Sequence, residues 1–395
     1  MDDVQRVLSW FASGRLLRPD ASLPTTVHLA RVLAHLNGAS LDVLGPEQEI
    51  LTAIGDSDHL VFVLADGLGL NLVQSEPDAS FLKQNLVLEM RSVFPSSTAP
   101  SLTSLATGLW PAQHGVPAWF VFLPNKAKHV TALPFVERFS GRPLNEATVA
   151  RELFARPALT ADYKRDTLAL LPRQIADSVY TRYVTGGRPI QSYEGLSAAV
   201  DAAIAHVHST TRPTFTYLYY PNVDSTSHYY GPSSRDARTE VEGLASELQR
   251  LAEGVSGRGR VVISADHGQY DVKPSHKLFL SPNDELMDIL LTPPSGEPNT
   301  PTLHARPDRS EDAADAFRRQ YGEHFALLTP DDIESLQLLG PGSLSAETRA
   351  RLGDYMGLSS AGEMLIYKPD TGIAAMQGYH GGLTPDEVRI PLIVA

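Results

Sequence analysis

His59-Leu-Val-Phe-Val-Leu-Ala-Asp66 is an uninterrupted apolar run that ends in an acid, followed by Gly67. A run of this length reads as a strand buried on both faces. Working outward, Thr214-Phe-Thr-Tyr-Leu-Tyr-Tyr-Pro-Asn222 is a similar run that leads to Asp224. Arg260-Val-Val-Ile-Ser-Ala-Asp-His-Gly268 is another, and Pro391-Leu-Ile-Val-Ala395 closes the chain. Helical patterns lie between them, for example over 235–253. Alternation of this kind implies an α/β fold with a mostly parallel central sheet and helices on both faces. In the first three runs the polar residues come at or just after the C-terminal end. Open α/β sheets bind ligands at that edge, so acids far apart in sequence can meet there.

The rest of the chain divides by composition. Val4, Val7, Leu8 and Phe11 fall at helical spacing, so residues 1–20 open with an amphipathic helix. Residues 1–58 read as a helical extension packed on the core. Residues 285–363 read as an insert or cap. Pro and Gly are dense there at 293–302 and 340–342, and helical stretches lie near 311–321 and 345–355. The core is then 59–284 with 364–395.

The 395 residues are 42% hydrophobic and 20% charged, an ordinary globular balance. The formal net charge is −13, which repels the backbone of long nucleic acids. It leaves room for a small phosphorylated substrate, because bound cations reverse the sign locally. There is no cysteine, which excludes disulfides and thiolate chemistry. The acidic opening Met-Asp-Asp-Val-Gln-Arg carries no secretory pattern, and no stretch approaches the roughly 18 apolar residues of a membrane span. The expectation is a cytoplasmic protein. Nothing in the sequence signals an oligomeric state.

Five short words carry the chemistry: Ala65-Asp66-Gly67, Pro95-Ser-Ser-Thr98-Ala-Pro100, Asp224-Ser-Thr-Ser-His228, Asp266-His267-Gly268 and His380-Gly381-Gly382. Together they hold three aspartates, three histidines and one threonine hydroxyl between two prolines. Carboxylate oxygen and imidazole nitrogen suit a pair of divalent ions, zinc first among them. Two metals about 3.5–4 Å apart clamp the attacking and leaving oxygens of a displacement at phosphorus. Asp224 and His228 are one helical turn apart. Thr98 needs a metal to become a good nucleophile. The small-residue run from Ser101 to Gly108 suits a helix start, whose N–H groups would face a phosphate oxygen.

Each word has a bland reading. Asp-Gly after a strand is commonly a turn. An i,i+4 Asp–His pair is more often solvated, and a threonine between prolines usually lies in a loop. It is the set, each member beside an expected strand, that points to catalysis. Trp119 and Phe120 are candidates to stack on a base or aryl ring. Tyr219, Tyr220, Tyr229 and Tyr230 read first as sheet core and helix packing. Gly67-Leu-Gly69 lacks the third glycine of a dinucleotide fingerprint, and no P-loop is present. His114, His276 and His304 read as structural.

The words in this order resemble the alkaline phosphatase superfamily, and within it the type I phosphodiesterase/nucleotide pyrophosphatase branch. Phe94-Pro-Ser-Ser-Thr98-Ala-Pro-Ser-Leu-Thr-Ser-Leu-Ala-Thr-Gly108 with Pro111-Ala-Gln-His-Gly-Val116 is similar to that branch's nucleophile segment. Tyr217-Leu-Tyr-Tyr-Pro-Asn-Val-Asp224-Ser-Thr-Ser-His228-Tyr-Tyr-Gly-Pro232 resembles its second-metal segment. Ser264-Ala-Asp266-His267-Gly268 and Gly378-Tyr-His380-Gly-Gly resemble the remaining two. The resemblance assigns Asp66, Thr98, Asp266 and His267 to one zinc, and Asp224, His228 and His380 to the other. It implies hydrolysis of phosphodiester or pyrophosphate bonds, of nucleotide-type substrates, through a phosphothreonine at Thr98. The alternatives it leaves are a phosphomonoesterase, a phosphonate hydrolase, or a non-catalytic nucleotide-binding relative. Eukaryotic members carry an asparagine three residues after the nucleophile. Here that position is Ser101, expected to contact the phosphate with its hydroxyl or N–H. No counterpart is seen of the arginine that clamps monoesters in bacterial alkaline phosphatases, which favours diesters.

Overall fold

A computed structural model describes residues 2–144 and 147–395. The apolar run before Asp66 forms the strand His59–Ala65, buried along its whole length. It lies in the middle of a seven-stranded sheet. The strand order is Leu86–Arg91, Arg389–Val394, Gly259–Ser264, His59–Ala65, Thr214–Tyr220, Asp166–Pro172, Ile190–Tyr193. His59–Ala65 is parallel to both neighbours, with Ala65 opposite Tyr220 and Leu64 opposite Ser264. Only Arg389–Val394 runs against the rest. The expected mostly parallel sheet is therefore present. Its registers bring the ends of three apolar runs to one edge. The helices Thr26–Leu36, Pro46–Ile54, Leu196–His208 and Arg235–Val255 contribute side chains to the same core as the strands.

Three strands of this sheet are absent from the apolar-run reading. Leu86–Arg91 carries Glu89 and Arg91 because it is an edge strand, paired on one side only, and Glu89 meets Arg389 across that pair. Asp166–Pro172 and Ile190–Tyr193 lie towards the other edge, where burial is incomplete.

A second sheet is wholly antiparallel, in the order Phe325–Leu328, Tyr355–Ser359, Thr300–Leu303, Ser295–Glu297, Phe120–Leu123, Lys128–Thr131, Val136–Glu137. It draws strands from both sides of residue 285, so a boundary placed there cuts through a hydrogen-bonded sheet. The helices Ser310–Tyr321 and Ala346–Leu352 lie close to the stretches read as helical.

The N-terminal segment is also shared between cores. Asp3–Ala12 is capped by Asp2, whose carboxylate accepts from the Gln5 N–H. Its Val7 and Trp10 pack with Ala326, Leu328 and Ile333 beside the second sheet. Thr26–Leu36 and Pro46–Ile54 pack on the central sheet instead. Among the described residues no helix is long and apolar enough to cross a membrane.

Candidate active site

Asp66 is the first residue beyond its strand. Its N–H donates to the Tyr220 carbonyl at 2.9 Å, and its carbonyl accepts from the Asp224 N–H at 3.0 Å. The end of one strand is thus tied to the helix that follows its neighbour, Asn222–Tyr230. Gly67 makes the approach possible. It has φ +73°, and a Cβ there would lie 2.8 Å from Asp224 Cα. The expected i,i+4 pair is realised on that helix, with His228 Nε2 3.3 Å from Asp224 Oδ1. Asp266 and His267 follow Gly259–Ser264. His380 follows the two-residue strand Gly378–Tyr379, which pairs with Tyr270–Asp271. Thr98 is the first residue of the helix Thr98–Thr107, and its hydroxyl lies 3.1 Å from His267 Nε2.

The three histidines share one hydrogen-bonding pattern. His228 Nδ1 is 2.8 Å from the Gly378 carbonyl, His380 Nδ1 is 3.0 Å from that of Ser96, and His267 Nδ1 is 3.1 Å from that of Gly268. A carbonyl only accepts, so each Nδ1 carries a proton and each ring turns its Nε2 inward. The Nε2 atoms of His228 and His380 face each other at 3.2 Å. His267 Nε2 lies 3.4 Å from both Asp66 Oδ1 and Asp266 Oδ2, two buried oxygens with no hydrogen-bond partner among the described residues. A second proton on His380 does not resolve the conflict. Burial, then the neighbouring His267 and His228, hold its pKa well below the ordinary histidine value.

The acids show the same strain. Burial, then Asp266 and Asp224, push the Asp66 carboxyl well above the usual range, and burial raises Asp266 too. Lone pairs and carboxylates converging without donors between them fit divalent cations. Two donor sets lie within 4.8 Å among themselves, Asp224–His228–His380 and Asp66–Asp224–His267. Asp224, which the resemblance assigned to the second cation alone, belongs to both sets.

The expected substrate contacts fare differently. Ser101 is fully buried and its hydroxyl donates to the Asp266 carbonyl at 2.8 Å. It buttresses the loop that carries Asp266 and His267, and the phosphate contact expected of that hydroxyl is not what it makes. Trp119 and Phe120 are half-buried. The Trp119 N–H donates to Glu297 Oε1 at 2.6 Å, and the Phe120 ring lies 3.9 Å from the Arg138 guanidinium carbon. Tyr219 is buried in the sheet and donates its hydroxyl to Asp66 Oδ2, while Tyr220 donates to Glu240. Tyr229 and Tyr230 are exposed, contrary to a packing role.

Several positioning residues escaped the sequence reading. Gln269 donates its amide to the Asp224 carbonyl at 3.1 Å and also to Asp224 Oδ1. It directly follows Asp266-His267-Gly268, which was the available signal. Glu387 accepts from the N–H groups of Gly382 at 2.7 Å and Thr384 at 2.9 Å, and so pins the loop after His380. Thr384-Pro-Asp-Glu387 is a capping box, legible in the sequence. Glu297 is fully buried, accepts from Trp119 and Tyr379, and stands against Gly381. Nothing local in the sequence marks it.

Known proteins resemble this chain in sequence and fold. A Bos taurus protein, Bis(5'-adenosyl)-triphosphatase ENPP4, is 24% identical over 200 residues, covering 48% of this chain and 42% of its own length. The Rattus norvegicus ectonucleotide pyrophosphatase/phosphodiesterase family member 1 is 26% identical over 214 residues, covering 51% of this chain and 22% of its own. The chain therefore matches less than half the length of either relative. Murine ectonucleotide pyrophosphatase / phosphodiesterase 5, solved as an inactive form in complex with AMP, has the same fold. Its TM-score is 0.64 at 15% identity, over 84% of this chain and 87% of that one. The sequence profile of type I phosphodiesterase / nucleotide pyrophosphatase matches residues 60–383. That match runs from the strand that leads into Asp66 to the glycines after His380 and takes in the five words that carry the candidate site, so the chain belongs to the type I phosphodiesterase / nucleotide pyrophosphatase family.

Proposed function

We propose that this protein is a two-metal phosphohydrolase that cleaves phosphodiester or pyrophosphate bonds of nucleotide-type substrates, with Thr98 as covalent nucleophile. The observation that carries the reading is the convergence of three imidazole nitrogens and three acids beside one threonine hydroxyl. Asp66, Asp266, His267 and Thr98 would hold one cation, and Asp224, His228 and His380 the other. Bound divalent cations, most simply zinc for this mixture of nitrogen and oxygen donors, supply Lewis acidity towards phosphoryl oxygens and lower the pKa of the Thr98 hydroxyl.

The chain's own residues do the rest. Thr98 Oγ1 attacks phosphorus in line, and the bond to the leaving group breaks with its electron pair leaving on oxygen. Water then cleaves the phosphothreonine and restores the hydroxyl. The first turn of the helix that starts at Thr98 offers N–H groups without intrahelical acceptors to a phosphoryl oxygen. Carbonyls of Gly378, Ser96 and Gly268 fix the histidine tautomers throughout. The nucleotide assignment draws on the relatives, one named for a bis-adenosyl triphosphate and one solved with AMP.

Two measurements test this. Thr98→Ala is expected to remove turnover by about 1,000-fold or more while metal content stays the same. Unchanged turnover sinks the nucleophile. The kcat/KM ratio of the zinc-loaded protein on an aryl phosphodiester and an aryl phosphomonoester should favour the diester. A strong monoester preference would replace the diesterase reading with a phosphatase one.

A further inference from the structure

The candidate site is closed on one side and open on the other. Asp66, Asp266 and His267 keep at most 3% of their side chains exposed, whereas Asp224 and His228 keep 15% each. Solvent therefore reaches the cluster over the helix Asn222–Tyr230, which carries both of the open groups. Tyr379 shuts off another flank of His228. It is a buried ring 5.7 Å away, centroid to centroid, and it also stacks on His380. Thr98 sets the direction in which a substrate lies across the opening. Its hydroxyl stands beside His267, in the closed half. An in-line attack sends the leaving group to the side opposite the nucleophile. That side is the half formed by Asp224, His228 and His380.

Two aromatic rings stand at the open half. Tyr229 directly follows His228 and is 77% exposed, and Tyr230 is 57% exposed. Their ring centroids lie 5.8 Å apart, with the planes at 46°. Among the described residues neither hydroxyl makes a hydrogen bond. A helical side chain leans back over the turn before its own Cα, so Tyr229 covers the surface around Ser225, next to Asp224. Ser225 is itself exposed. Neither burial nor hydrogen bonding accounts for these rings where they are. An exposed aromatic pair is a surface on which another planar ring stacks.

We infer that Tyr229, flanked by Tyr230, is a specificity-determining residue that stacks on an aromatic ring carried by the leaving group. The inference rests on the phosphodiesterase reading above and narrows its substrate class. The favoured substrates are those whose departing half bears a base or aryl ring, as in a dinucleoside polyphosphate. A nucleoside triphosphate gains nothing from these rings, because its departing half is bare pyrophosphate. The group retained on Thr98 lies towards the closed half and makes no use of them.

Diadenosine triphosphate and ATP separate the two halves of the substrate. Attack at the phosphorus next to adenosine leaves AMP on Thr98 in both cases, while ADP departs from the first and pyrophosphate from the second. Calorimetric titration of the zinc-loaded Thr98→Ala protein reads binding without turnover. Adding Tyr229→Ala and Tyr230→Ala should weaken diadenosine triphosphate about tenfold and ATP by less than about twofold. In the chain that keeps Thr98, the same pair should raise KM for the dinucleotide with kcat little changed. Tyr229→Phe with Tyr230→Phe keeps the rings and should keep the affinity. Both side chains are exposed, so zinc content measured on the same samples should stay the same. Equal weakening of the two ligands, or weakening of neither, overturns the stacking role and leaves the phosphodiesterase reading standing. Loss of zinc in the alanine pair also overturns it, since the tyrosines would then be supports of His228. Binding of neither ligand by the Thr98→Ala protein sinks the nucleotide reading, and this inference with it.

Discussion

Two sets of withdrawn histidines sit in this protein and do opposite things. His228, His267 and His380 turn their Nε2 atoms towards one another and towards Asp66, Asp224 and Asp266. His114, His129 and His304 are buried too, yet no carboxylate forms an ion pair with them among the described residues. His114 bonds the Ser104 hydroxyl at 3.0 Å and accepts from the Val116 N–H at 3.1 Å. His129 and His304 each lie 4.8 Å from the Phe122 ring, centroid to centroid, in the second sheet. Burial does not make a histidine functional. What separates the sets is whether acids share the space and whether the second nitrogen is left to face them.

The largest test of that distinction exchanges one member of each set. His380→Ala should lower metal content and cut turnover by on the order of 1,000-fold, read by metal analysis and a diester assay on the same sample. His304→Phe should leave both unchanged. If His304→Phe strips metal, the two sets are not distinct. Removing the metals with a chelator probes the same origin without a substitution. Without cations the Asp66 carboxyl keeps the raised pKa that burial, Asp266 and Asp224 impose. Adding zinc should then release protons and raise the melting temperature by mass action. Proton-neutral binding at pH 7 would contradict the strained acid cluster.

The groups behind the ligands come next. Tyr219→Phe frees Asp66 Oδ2, and Gln269→Leu frees Asp224 Oδ1. Each should weaken zinc about 10–100-fold in a competition titration, while metal-saturated turnover falls less. Phe122→Leu, against the structural histidines, should leave zinc affinity where it was. An equal loss there would mean that general loosening of the fold, not ligand orientation, governs the metals.

The sequence disclosed these two regions very unequally. Every group in the candidate metal cluster stands directly after an apolar run or within a word such as Asp-Ser-Thr-Ser-His, because a parallel sheet delivers strand ends to one edge. Local patterns suffice when a fold places functional residues by local rules. Ser101 shows the limit. Its position three residues after Thr98 was legible, but its bond to the Asp266 carbonyl depends on how a distant loop returns. Glu297 shows it more sharply, since a lone acid in Ser-Gly-Glu-Pro has no pattern, and only pairing of Ser295–Glu297 with Phe120–Leu123 brings it to Trp119. The second sheet as a whole is made of short strands of two to five residues, from segments far apart in the chain. Such strands are too short for periodicity to declare them.

The smallest expected effect concerns the structural set alone, and its sign follows from proton counting. Burial holds His304 down to about 4 and His129 and His114 to about 3, each below the ordinary 6.5. The unfolded chain takes up protons below pH 6.5, while the folded chain keeps these rings neutral, so the unfolded state binds more protons and stability rises with pH. The contribution is complete above pH 6.5 and is lost as pH falls towards the folded values, at up to about 1.4 kcal/mol per pH unit for each such ring. His304→Phe removes one of the three and also removes the buried His304 Nε2 that has no partner. The difference in unfolding free energy between the unaltered chain and this variant should therefore be flat from pH 8 to about 6.5. Below that it should tilt in the variant's favour down to pH about 4. Denaturant titrations at matched zinc give that difference directly, and because His228, His267 and His380 are common to both proteins, their own titration cancels. A difference that stays flat to pH 4 would mean that His304 protonates in the folded state at its ordinary pH, and that its burial in the second sheet is not what holds it neutral.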